Sequence, residues 1–372
     1  MFIFEKIVIY LVLLDVTLKG GIERVATSFA NYLIKNNVDV KIISFFQSHK
    51  KPFYYVDPKV KFIYLSKIKF TRLVTWLFTP LLIKRLFYNI KQPNKSPIII
   101  YYAGIIPFLW IISPRILPFL TYSEHLSFDT AGIPVRFVRR FFLKRIKSVH
   151  VINKYSQSEY KKIGIKSKYI PNPITIFNSQ NQFKYKVNIN PPKKVFNIIS
   201  IGRLEEVKNF LDVLKIASLF NEIYNVKFNI YGDGPLREFL IKESRKLNLE
   251  NLTFNAFASD IAHVYSSADF IIMTSLSEAL PMALLEAMSF GVIPIAYNDL
   301  DGPKDIINNN KNGFLCPRED FDFIKNLILD LIQNNNKFNL ISNKAVDSSL
   351  DYYPENINTQ FLNSFIKNKY KY

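Results

Sequence analysis

Ten short runs rich in Val, Ile, Leu, Phe and Tyr recur along this 372-residue chain, and their rhythm constrains the fold more than any other feature. The first five are Lys6–Leu14, Val40–Phe46, Ile98–Tyr102, Phe119–Ser123 and Val149–Ile152. After a polar interval come Phe196–Ile201, Lys227–Tyr231, Asn251–Phe254, Phe270–Thr274 and Val292–Tyr297. Helical patterns separate the runs. A strand that is apolar at nearly every position has both faces covered, as parallel strands between helices do. Two such series predict an α/β protein built of two doubly wound, Rossmann-like domains. The domains are expected at residues 1–172 and 195–350. A linker over 173–194 joins them, opening at Pro171-Asn172-Pro173 and passing Pro191-Pro192. Residues 351–372 read as a terminal helix with a basic end.

Length and composition narrow the class. The chain is long enough for two cores, and a hydrophobic share of 49% excludes global disorder. Its single cysteine, Cys316, excludes an internal disulfide framework. Met1–Leu18 is apolar but carries Glu5, Lys6 and Asp15, and it lacks the small-residue cleavage site of a signal peptide. The uncharged stretch 98–113 falls short of the ~20 residues a helical span needs. Pro107 and Pro114 argue further against a span there, so it reads as a strand, a turn at Gly104 and a short packed helix.

The net charge of +19 is one-sided. Residues 1–170 hold 28 Lys and Arg against 8 Asp and Glu, so the excess of +20 lies in the first half and the remainder is nearly neutral. Such a field implies an anionic partner. No nucleic-acid-binding motif accompanies it, so nucleic acid is not expected as a partner.

Several strand exits carry residues suited to phosphate or sugar. Gly20-Gly21 leads from the first run into a helical segment, where a backbone without Cβ atoms lets a ligand approach the helix start. Gly202 ends the run Phe196–Ile201 and is followed by Arg203 and Lys208, a forked and a compact cation suited to adjacent phosphates. Gly232-Asp233-Gly234-Pro235 turns the chain and lacks a dinucleotide fingerprint, so no nicotinamide or flavin is assigned. Glu124-His125 ends the run Phe119–Ser123, and His125 has no metal-ligand spacing to another histidine. The stretch SEALPMALLEAM places Glu278 before Pro281, the expected first helical residue, and Glu286 in the second turn. Asp299-Leu300-Asp301 could hold a metal on a diphosphate but reads better as a turn.

Taken in order, these segments resemble the retaining glycosyltransferases of family 4, which have the GT-B fold. The resemblance rests on Gly20-Gly21-Ile22-Glu23-Arg24, Glu124-His125, Ile170-Pro171-Asn172-Pro173 and Gly202-Arg203-Leu204 with Lys208-Asn209. Gly232-Asp233-Gly234-Pro235, Glu278 through Glu286, Gly291-Val292-Ile293-Pro294, Gly302-Pro303-Lys304-Asp305 and Asn312-Gly313-Phe314 extend it. It spans nearly the whole chain and is dense after residue 196.

The resemblance implies two lobes facing a cleft, with the terminal helix packing back on the first. Glu278 is then expected at the hydroxyls of the transferred sugar and Glu286 at the ribose. Backbone N–H groups near Leu280–Ala283 would face the diphosphate, those of Leu280, Met282 and Ala283 flanking Pro281, which has none. Arg203 and Lys208 would neutralise it, Gly20 and Gly21 would let it approach the first domain, and His125 would lie near the donor sugar. The implied catalytic set is Arg203, Lys208, Glu278 and His125; Gly202 joins the donor site. Neither a metal nor a cofactor is implied beyond the nucleotide-diphosphate sugar, expected to be UDP-linked. Ala279 and Ala256 stand where the family commonly has Gly, which bears on donor identity.

The acceptor domain would carry the excess charge. Residues 70–90 and 136–147 mix Arg72, Lys84, Arg85, Arg136, Arg139, Arg140, Lys144, Arg145 and Lys147 with large apolar residues. Basic amphipathic segments of this kind lie on anionic membranes. A cytoplasmic enzyme, peripheral on the inner face of the cell membrane and using a lipid-diphosphate-linked glycan acceptor, is therefore expected. A nucleotide-sugar epimerase on the same fold and a non-catalytic membrane-bound scaffold remain open alternatives.

Overall fold

A computed structural model describes residues 8–67, 72–90, 93, 96–126, 128, 132–177, 195–223, 225–258 and 260–366, with the backbone alone at 72–77, 133–134 and 365–366. Most of the anticipated linker, 178–194, and the basic end, 367–372, lie outside the described residues. The chain divides into two compact units, one of residues 1–175 with 354–372 and one of residues 176–353.

The first unit holds seven strands: β1 (Val8–Leu13), β2 (Asp39–Ser44), β3 (Lys61–Tyr64), β4 (Ile98–Ile100), β5 (Leu120–Glu124), β6 (Ser148–Val151) and β7 (Ser167–Tyr169). They pair in the order β3-β2-β1-β4-β5-β6-β7, every neighbour parallel. Helices α1 (Gly21–Lys35), α2 (Arg72–Asn89), α3 (Ile106–Ile112), α4 (Ile133–Phe142) and α5 (Lys154–Lys162) connect them. Successive residues of β1 serve opposite faces. Tyr10 and Val12 join the core under α2 to α5, while Ile9, Leu11 and Leu13 join the core under α1.

The second unit holds β8 (Phe196–Ile201), β9 (Val226–Tyr231), β10 (Leu252–Asn255), β11 (Phe270–Met273), β12 (Ile293–Tyr297) and β13 (Phe314–Cys316). Their order is β10-β9-β8-β11-β12-β13, again parallel throughout. Its helices are α6 (Phe210–Ser218), α7 (Arg237–Lys246), α8 (Ile261–Ser267), α9 (Met282–Met288), α10 (Asp301–Ile306), α11 (Phe321–Gln333) and α12 (Asn335–Ser349). The last helix, α13 (Pro354–Ile366), belongs to the first unit. There Phe361 meets Phe29 of α1 edge-on at 4.7 Å, and the hydroxyls of Thr359 and Tyr32 are 2.6 Å apart.

Two of the sequence expectations are corrected. Arg139, counted above with the membrane-facing cations, is 1% exposed. Its guanidinium donates from Nε to Glu124 Oε2 at 3.0 Å, with Nη2 at 2.9 Å, because a buried charge must be paired. Glu124 is correspondingly a buried structural partner, which also accepts from Tyr160 Oη at 3.1 Å. The second correction is in the strand inventory: β3, β7 and β13 were not anticipated, and all three are sheet edges. Among the described residues no helix is long and apolar enough to cross a membrane.

Each sheet reverses its winding once, between β1 and β4 in the first unit and between β8 and β11 in the second. Loops leaving the carboxyl ends of such strands diverge and open a crevice, where open α/β sheets bind ligands. The second unit's switch point lies between the loops at 202–209 and 274–281.

Candidate active site

The loop after β8 runs through Gly202 and Arg203 into a single 3-10 turn, Glu206–Lys208, which ends at Asn209 in the left-handed region with φ 47°. The loop after β11 lies beside it. Thr274 Oγ1 donates to the carbonyl of Asn209 at 2.8 Å, and Leu276 N donates to that of Val207 at 2.8 Å. These bonds staple two loops that are 70 residues apart in sequence. Lys208 Nζ consequently meets Glu278 Oε1, which also accepts from Ser275 Oγ at 2.9 Å. Both side chains are largely buried, at 27% and 10% exposed. Lys208 lines a pocket together with Ser200, Phe210, Thr274 and Ser275.

The other anticipated donor residues are distributed around this pair. Arg203 takes no part in the contact; its side chain is 68% exposed and pairs with Glu205 at 2.9 Å. Pro281 is the N-cap of α9 rather than its first residue, because its ψ of 90° is extended, and the helix begins at Met282. Its carbonyl accepts from Leu284 N and Leu285 N at 3.1 and 3.3 Å. Leu280 is buried, whereas Met282 and Ala283 are partly open. Glu286 is buried in the second turn and accepts from Tyr265 Oη at 3.1 Å. Gly202 would tolerate a Cβ, with its nearest contact at 3.6 Å. Gly232 would not, since a Cβ there would lie 1.9 Å from the Gly202 carbonyl oxygen. Gly232 thus sets the path of the Arg203 loop by close packing. Asp299 is engaged by Arg318 Nε and Nη2 at 2.6 and 2.9 Å, and Asp301 opens α10.

In the first unit the glycine pair follows β1 at the switch point, and the histidine follows β5, the strand beside β4. Gly20 caps α1 and Gly21 begins it; a Cβ on Gly21 would meet nothing within 4 Å. Burial raises the carboxyl pKa of Glu23 in the first turn. His125 leaves β5 with Nε2 3.1 Å from Ser123 Oγ and its ring stacked on Tyr101 at 5.5 Å. Burial lowers its pKa to about 4, so the imidazole is neutral at pH 7. His125 Nδ1, Tyr101 Oη and Asn358 Nδ2 are buried without protein partners around one pocket.

Thr274, Ser275 and Arg318 were missed from sequence as site residues, and Asn209 was named only beside Lys208, without a role. Ser275 precedes Glu278 by three residues, a spacing that would have suggested a local bond. Nothing in the sequence connects Asn209 to Thr274.

Residues 181–347 match the family described as glycosyl transferases group 1. The solved structure of HepE from Anabaena, in complex with UDP and glucose, superimposes with a TM-score of 0.72 at 19% identity, covering 96% of this chain and 99% of that one. The fold is GT-B. An uncharacterized glycosyltransferase of Haemophilus influenzae is 29% identical over 347 residues, covering 91% of this chain and 94% of the relative. A GalNAc-α-(1→4)-GalNAc-α-(1→3)-diNAcBac-PP-undecaprenol α-1,4-N-acetyl-D-galactosaminyltransferase of Campylobacter jejuni is 27% identical, covering 92% and 94%. Together these matches support a GT-B glycosyltransferase of bacterial glycan assembly. Lys208 and Glu278 both lie within the matched segment.

Proposed function

We propose that this GT-B protein is a metal-independent, retaining glycosyltransferase of surface polysaccharide assembly. It moves a hexosyl or N-acetylhexosaminyl group from a UDP-linked donor to a saccharide carried on a membrane lipid diphosphate. The observation that supports this most is the Lys208–Glu278 contact at the switch point of the second unit, inside the segment that matches the group 1 family. The relative whose name specifies a PP-undecaprenol acceptor and the neighbour solved with UDP support the two substrate classes.

In this reading the donor separates the pair. Glu278 accepts hydrogen bonds from sugar hydroxyls, and Lys208 meets the diphosphate. As the bond from the anomeric carbon to the diphosphate oxygen breaks, negative charge grows on the leaving group. A fixed cation there stabilises the transition state more than the ground state. Arg203 supplies a second cation, because its exposed pair with Glu205 is worth at most about 1 kcal/mol and is readily exchanged for a phosphate. Glu286 supports α9 from beneath and reaches the ribose only with rearrangement of its Tyr265 bond. His125, neutral in the first unit, is suited to hydrogen-bond a sugar hydroxyl without adding charge. The acceptor hydroxyl gives its proton to the departing phosphate oxygen.

The exposed aromatic and basic face of α4, with Arg136, Phe137, Arg140 and Phe141, supports attachment to the anionic inner face of the cell membrane. A thermal-shift panel tests the donor class, since a ligand that binds only the folded state raises its melting temperature. UDP and one or more UDP-sugars should raise it in the presence of EDTA. A panel in which no nucleotide-diphosphate sugar shifts the wild-type protein contradicts the reading.

A further inference from the structure

Both loops of the Lys208–Glu278 pair are tied to one connected set of side chains that the proposed function leaves unused. Arg318, just beyond β13, grips Asp299 through Nε at 2.6 Å and Nη2 at 2.9 Å, a bidentate geometry that fixes the guanidinium plane. The same plane lies over the Tyr297 ring at 4.6 Å, and Nη2 reaches the carbonyl of Ser275 at 3.3 Å. Ser275 is the residue whose hydroxyl binds Glu278. On its other side Tyr297 donates from Oη to Asp212 Oδ2 at 2.7 Å. Asp212 is buried, and it also accepts from Asn209 Nδ2 at 2.6 Å and from Lys215 Nζ at 3.1 Å. Asn209 is the left-handed residue that follows Lys208.

We infer that Arg318, Asp299, Tyr297 and Asp212 are positioning residues, a clamp that holds the carboxylate of Glu278 and the ammonium of Lys208 in register. The chain of contacts ends at Ser275 on one arm and at Asn209 on the other, so one element fixes both loops. Stability alone does not account for the arrangement. The Arg318 and Asp299 side chains are 25% and 48% exposed, and pairs at that exposure add little. What a stacked, bidentate guanidinium supplies is orientation. Arg318 Nη1 is buried without a protein partner, which leaves its two N–H groups for water or a bound group. The clamp gives Asp299 a role through Arg318.

The inference rests on the proposed function for the purpose of the pair, not for its geometry, and two measurements on the full chain separate the two. Hydrogen exchange of the ligand-free protein reads the geometry. In Arg318→Met and Asp299→Asn, amides of 206–209 and 275–280 should exchange faster while the melting temperature stays close to wild type. Lys337→Met, which breaks the exposed pair with Asp330, should leave both segments unchanged. Calorimetric titration with UDP reads the consequence. Either single variant should weaken UDP by about tenfold, and the double variant no further, as residues of one unit behave. Tyr297→Phe, which keeps the ring and loses the Asp212 bond, should fall between. Unchanged exchange in Arg318→Met overturns the clamp whatever the ligand. Faster exchange with undiminished UDP affinity reduces it to a structural contact and overturns the positioning role. If the wild-type chain itself ignores UDP, the functional reading falls, and the exchange experiment still decides whether the loops are held this way.

Discussion

Glu124 and Arg139 show how one pair of charged side chains can be misread from sequence. Next to a strand-end histidine, Glu124 has no role that the sequence assigns, and Arg139 looks like one more surface cation. In the folded chain each is about 1% exposed, and each is the other's partner. Breaking such a pair strands the survivor in a medium that cannot solvate it. Arg139→Met should therefore cost about 3–5 kcal/mol of unfolding free energy, measured in urea. Arg140→Met, one residue on and exposed, should cost almost nothing. Placements set by local spacing were legible: Glu278 in the loop just before α9, and Gly232 at a strand exit. Residues whose role is set by a partner far along the chain were not. Arg318 lies 19 positions from Asp299 and 43 from Ser275, and Asp212 lies 85 from Tyr297.

At the scale of elements, the inner strands of both sheets could be read because burial on two faces forces uninterrupted apolar runs. The edge strands β3 (KFIY), β7 (SKY) and β13 (FLC) carry no such run, and their pairing is decided by neighbours rather than by composition. The terminal helix α13 makes its own prediction. His150 of β6 lies 4.8 Å from the Phe361 ring, and its Nε2 is 3.3 Å from Ser364 Oγ, so it sits directly under that helix. Burial, then the charge of Lys168, lowers its pKa from 6.5 to about 3. Between those values an unfolded chain binds a proton that the folded one refuses. The stability contribution is thus fully present above pH 6.5 and declines as pH falls towards 3. Limited proteolysis should release α13 more readily at pH 5 than at pH 7.5, and His150→Gln should flatten that dependence.

At the scale of the molecule, the charge is the property to explain. The second half of the chain is nearly neutral, and the first carries the excess of +20. Arg136 and Arg140 of α4 are exposed beside Phe137 and Phe141, whose rings lie 4.6 Å apart. The protein should bind phosphatidylglycerol vesicles at low salt, ignore phosphatidylcholine vesicles, and be released as salt screens the headgroups. Arg136→Glu with Arg140→Glu should abolish binding in a flotation assay. The central claim is that this chain transfers sugar with Lys208 at the departing diphosphate and Glu278 at the transferred sugar. Its most direct test is transfer of radiolabelled sugar from a panel of UDP-hexoses and UDP-N-acetylhexosamines into lipid-extractable product on undecaprenyl-diphosphate-linked saccharides. The account predicts label in the lipid fraction with the wild-type chain and EDTA present, and a loss of at least about 10²-fold in Lys208→Ala. Transfer by Lys208→Ala at the wild-type rate, or no transfer from any donor of the panel, would contradict it.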